Sequence, residues 1–96
     1  RAFAAAELGS RISAVVSRGG RPDLAGDTLP EVTAPTLLIV GGLDDVVIEL
    51  NEKAFRQLRC EREMMIIPGA THLFEEPGKL EAVADIAAEW FQRHLD

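Results

Sequence analysis

Apolar positions along the chain follow two rhythms. Residues 36–40 (TLLIV) form an unbroken apolar run, the pattern of a strand covered on both faces, as in a parallel sheet. Residues 12–17 (ISAVVS) are rich in β-branched side chains and are followed by glycines, so they predict a second strand. Residues 63–67 (EMMII), closed by Pro68 and Gly69, predict a third. Between the last two runs the period changes: Val47, Leu50, Ala54, Phe55 and Leu58 share one face of a helix over 46–58. A further helix is expected over 77–95, with Leu80, Val83, Ala84, Ala87, Trp90 and Phe91 on its stripe and Pro77 in its first turn.

The alanine-rich start (RAFAAAEL, residues 1–8), ended by Gly9, reads as helix. It lacks an initiating Met and an N-cap, so it reads as the tail of a longer helix and the chain as a piece of something longer. Residues 18–35 are rich in proline and glycine and read as loop, with one helical turn near 22–25. Strands alternating with helices predict an α/β fold: a three-stranded parallel sheet flanked by helices, joined by right-handed crossovers. Residues 1–96 then form a single partial domain.

Ligands of open α/β sheets bind outside the carboxyl ends of the strands. Polar residues at those ends are few: Ser17 and Arg18, then Asp44 and Asp45, then a loop carrying His72. A carboxylate at the end of a buried strand is costly without a partner. An aspartate after one strand and a histidine after the next supply the orienting half of a nucleophilic triad. Their order suits the α/β-hydrolase arrangement of nucleophile, acid, histidine. The 28 residues from Asp44 to His72 leave room for one helix and one strand.

Each residue also has a plainer reading. Asp44 could cap the following helix, and His72 could be an ordinary surface histidine. Taken together, at this spacing, they favour a triad remnant with Asp44 and His72 as its catalytic members. Asp45 suits the start of a helix, and Glu75 and Glu76 suit the start of the last one. His94 suits the C-terminal turn of that helix. Arg18, Arg21 and Asp23 either hold a substrate carboxylate, with Arg18 the substrate-binding candidate, or pair with one another, which is the preferred reading.

The surrounding sequence adds a resemblance. LLIVGGLDDVV looks like the penultimate strand and acid turn of α/β hydrolases, where a small-x-x-Asp-x-x-Val pattern is common. PGATHLFEEPGKLEAVADIAAEWFQRHL resembles the final strand's exit, the histidine loop and the C-terminal helix of the same fold. The similarity is to the dienelactone hydrolase-like group. It covers nearly the whole chain and implies the C-terminal portion of that fold. It also implies Asp44 as the acid, His72 as the histidine, and action on a small-molecule ester, lactone or similar acyl bond. The family's nucleophile, in G-x-S-x-G or with Cys for Ser, is missing. VVSRG comes nearest, but Val15 stands where the elbow turn needs glycine. Ser17 is also only 27 residues before Asp44, too few for the elements that separate nucleophile and acid. The nucleophile is therefore expected before Arg1, and the chain alone is expected to be inactive.

Composition narrows the alternatives. The chain is 47% hydrophobic and 27% charged, ordinary for a globular domain. A net charge of −6 offers no basic stripe for nucleic acid and no attraction to anionic membranes. No apolar run approaches a membrane span. Cys60 is the single cysteine, so an intramolecular disulfide is impossible and a reducing, cytoplasmic setting is the default. Metal-ligand spacing and a phosphate-binding glycine loop are both missing, so no cofactor is expected. The competing function is a non-catalytic ligand- or partner-binding module, which has no reason to bring Asp44 within reach of His72. In either case an uncovered edge at residues 12–17 predicts a homo-oligomer paired along that strand.

Overall fold

A computed structural model describes residues 3–8, 11–20 and 29–94. In chain order its elements are β1 (Phe3–Leu8), β2 (Arg11–Arg18), β3 (Thr36–Gly41), α1 (Asp45–Gln57), β4 (Arg62–Ile67) and α2 (Lys79–His94). They build one sheet in the order β1-β2-β3-β4. Strands β2, β3 and β4 are parallel, with Leu38 opposite both Ser17 and Met64. The three strands and two helices of the α/β expectation are thus present, with boundaries shifted by one or two residues.

The apolar run of β3 is explained by two cores. Every residue of β3 is buried. Alternate side chains leave a strand on opposite faces. Leu37 and Ile39 join Val16, Ile67, Phe74, Val83 and Trp90 beneath α2. Leu38 joins Leu29, Ala54 and Leu58 beneath α1. Helix α2 begins at Lys79, just after Pro77 and Gly78, and its inner stripe is Val83, Ile86, Ala87, Trp90 and Phe91. Leu80 and Ala84, expected on that stripe, point outward. The Trp90 indole N–H reaches the Pro35 carbonyl at 3.4 Å, tying α2 to the start of β3.

Residues 3–8 overturn the helix expected over 1–8. They form β1, antiparallel to β2 from Phe3 opposite Ser17 to Leu8 opposite Arg11, with a register shift between Ala6 and Glu7. Alanine's helix preference is a weak local term, and an isolated helix of one or two turns is marginal in water. Pairing with β2 instead satisfies backbone donors and acceptors along a whole strand edge. The same pairing removes the uncovered edge expected at residues 12–17, since β1 occupies it. The helical turn expected near 22–25 lies outside the described residues; a short 3-10 turn occurs at Leu29–Glu31.

Candidate active site

The site begins with two glycines at the exit of β3. The Gly42 amide donates to the Ile67 carbonyl at 2.8 Å, and the Leu43 amide to the Ala70 carbonyl at 2.9 Å. These bonds lay the exit of β4 directly against the exit of β3. A Cβ on Gly41 would lie 2.5 Å from the Ala70 carbonyl oxygen and 2.6 Å from that of Thr71. Only glycine permits this approach. The Asp44 amide then closes a turn onto the Gly41 carbonyl at 3.0 Å.

Asp44 occupies the N-cap position of α1, yet its carboxylate makes no capping bond. Its backbone carbonyl accepts the Ile48 amide at 2.9 Å, which starts the helix. The carboxylate is free for another partner, and Oδ2 accepts a hydrogen bond from His72 Nδ1 at 2.9 Å. The carboxylate side chain is 19% exposed and the imidazole 52%. Of the two readings of Asp44, helix cap or partner of His72, the carboxylate's contacts fit the second. Asp45, as expected, is the acidic residue of the first helical turn. With Nδ1 donating to the carboxylate, Nε2 carries the ring's lone pair, the arrangement that lets an imidazole accept a proton.

The loop holding His72 is built around a tight turn. The Phe74 amide donates to the Thr71 carbonyl at 3.1 Å. Phe74 has φ of 55°, and its ring is buried in the core under α2. A left-handed conformation costs a non-glycine residue about 1–2 kcal/mol. Burial of the ring offsets that cost and plugs the loop into the core. Thr71 donates to the Glu76 carboxylate twice, from its amide at 3.0 Å and its hydroxyl at 2.8 Å. These bonds, the amide's first, hold the Glu76 carboxyl below its usual range.

The exit of β2 completes the surroundings. Gly19 has φ of 59°, and a Cβ there would meet the His72 carbonyl oxygen at 2.9 Å and ring Cε1 at 3.6 Å. The fully buried Asn51 side chain donates to the Gly20 carbonyl at 3.1 Å and the Val47 carbonyl at 2.8 Å, fixing that turn to α1. Ser17 is buried and its hydroxyl has no partner among the described residues. Arg18 is exposed and makes no hydrogen bond or ion pair among the described residues, while Arg21 and Asp23 lie outside them. No three His, Cys, Asp or Glu side chains converge as a metal would require, again among the described residues.

The structure therefore brings Asp44 and His72 together, while Arg18 stands one residue before Gly19, whose position lies against His72. Sequence reasoning missed Asn51, Gly19 and the Thr71–Glu76 pair. Asn51 had a visible signal: a polar side chain four residues after Val47 and three before Ala54, inside the apolar face of α1.

No family model matches the chain. Two Mycobacterium tuberculosis proteins, from strains CDC 1551 and H37Rv, are each 60% identical to it over 92 residues. Both carry the name "Putative phosphoribosyl transferase". The match takes in 96% of this chain but 21% of theirs. Among solved structures, a dienelactone hydrolase from Anabaena variabilis superposes with a TM-score of 0.84 at 62% identity, covering 85% of this chain and 38% of that one. The chain thus spans about a fifth of the curated relatives and under two-fifths of the solved hydrolase.

Proposed function

From a chain whose fold is dienelactone hydrolase-like, we propose that it supplies the acid and the base of an acyl hydrolase whose nucleophile lies outside residues 1–96. The observation that carries this reading is the 2.9 Å bond between His72 Nδ1 and Asp44 Oδ2. In this mechanism a Ser or Cys of the longer protein attacks the carbonyl carbon of an ester or lactone. His72 Nε2 takes the nucleophile's proton and passes it to the departing alkoxide, leaving an acyl-enzyme. Water then releases the acid, with its proton passing through the same nitrogen. Asp44 holds the ring in the required tautomer and stabilises the imidazolium. A partner-binding module gives no reason for this pairing.

The name of the curated relatives supports a second reading, phosphoribosyl transfer. Their length argues for placing that activity elsewhere. The matched segment is a fifth of them but well over a third of the hydrolase, so they are about twice the hydrolase's length. They have room for a hydrolase domain and another domain beside it.

Turnover of an activated ester by the full-length protein tests the proposal. His72→Ala and Asp44→Asn are expected to lower kcat by roughly 10³-fold or more. Hydrolysis unaffected by either substitution would overturn the reading, and phosphoribosyl transfer lost in His72→Ala would favour the second. The 96-residue chain alone is expected to show no turnover above that of its own His72→Ala variant.

A further inference from the structure

We propose that Glu76 is a positioning residue for His72, acting through Thr71. The inference rests on the reading of His72 as the general base. One hydrogen bond to Asp44 fixes Nδ1, but it does not fix the backbone that carries the ring. His72 and both its neighbours, Thr71 and Leu73, are exposed. An exposed loop is the softest part of a fold, and a base must be held within a fraction of an ångström.

Three anchors hold this loop. On its N-terminal side the Ala70 carbonyl accepts the Leu43 amide. On its C-terminal side Phe74 is sunk into the core. The third anchor reaches the residue directly before His72: the Glu76 carboxylate accepts from both the amide and the hydroxyl of Thr71. Bonds to an ionised acceptor are the stronger kind, and two to one residue fix its orientation as well as its place.

Glu76 is itself held. Its carbonyl accepts the Lys79 amide at 3.0 Å, at the first residue of α2. That helix is docked through Val83 and Trp90. Rigidity therefore passes from the helix to Glu76, from Glu76 to Thr71, and from Thr71 to His72. An acid placed only for the helix dipole would face the first amides of α2. The Glu76 carboxylate turns back to Thr71 instead.

The test uses full-length protein labelled with 15N-histidine, with His72→Gln assigning the resonance. The wild type should show a low-field Nδ1 proton and a single tautomer for His72. In Glu76→Ala the low-field proton should be lost and the tautomers should average. The kcat for an activated ester should fall about ten- to a hundredfold with KM little changed. Glu76→Gln, which keeps one acceptor oxygen, should restore part of both. Should Glu76→Ala fail to fold, Thr71→Val removes one of the two bonds and should produce a smaller change of the same kind. A folded Glu76→Ala variant with a lower melting temperature but unchanged His72 resonance and kcat would overturn the proposal. A wild type without the low-field proton would overturn the Asp44–His72 pairing itself, and this proposal with it.

Discussion

Gly41 lacks a side chain because two carbonyl oxygens already fill the space a Cβ would need. Gly41→Ala must push the β4 exit away, and overpacking of this kind typically costs about 1–3 kcal/mol. Urea denaturation should show that loss, and the Asp44–His72 bond should loosen with it. Asn51→Ala removes two hydrogen bonds, the one to Gly20 buried, and frees the Gly20 carbonyl, a loss of about 1–3 kcal/mol by the same measurement. These residues differ in how far the sequence disclosed them. Asp44 and His72 were legible because their chemistry is scarce on the rim and their spacing fits one helix and one strand. Phe74 was not. Its left-handed backbone follows from where its ring is buried, and burial is a tertiary fact that no local pattern around residues 71–76 encodes.

At the level of the element, α2 anchors the loop as well as covering the sheet. Phe74→Ala should cost about 3–5 kcal/mol, because it empties the core beneath α2 while leaving the strained turn in place. The Thr71–Glu76 bonds carry a pH signature. The Glu76 carboxyl is held below its usual 4.5, so its contribution to stability is present above that value and lost as pH falls through the folded value. Urea midpoints of wild type and Glu76→Gln should therefore differ at pH 6, and the difference should shrink as pH falls below 4.5. The two helices were legible from their 3.6-residue period, and β3 from its unbroken apolar run. β1 was not, because alanine favours helix locally while the partner that makes residues 3–8 a strand lies in β2.

Across the described residues the molecule is a parallel sheet with a helix on each face, closed on one side by an antiparallel strand. The parallel core followed from the alternation of elements. The identity of the edge did not, because it depends on β1. A chain lacking residues 1–8 would leave the apolar edge of β2 bare, and such edges pair with other chains. Sedimentation velocity should show that truncated form associating more strongly than the parent chain. The two glycine-lined strand exits meet at one end of this sheet, and Trp90 is tied to the other through Pro35.

That separation has an optical consequence. The chain holds one tryptophan and no tyrosine, so its near-ultraviolet emission comes almost wholly from Trp90. The indole is 2% exposed and packs at a tilt against His94 with ring centroids 4.3 Å apart. Six residues of β3, about 20 Å of strand, separate its end of the sheet from the Asp44–His72 rim. Intrinsic fluorescence is therefore a built-in gauge of whether α2 is docked, and a ligand arriving at the imidazole should leave it dark to the event.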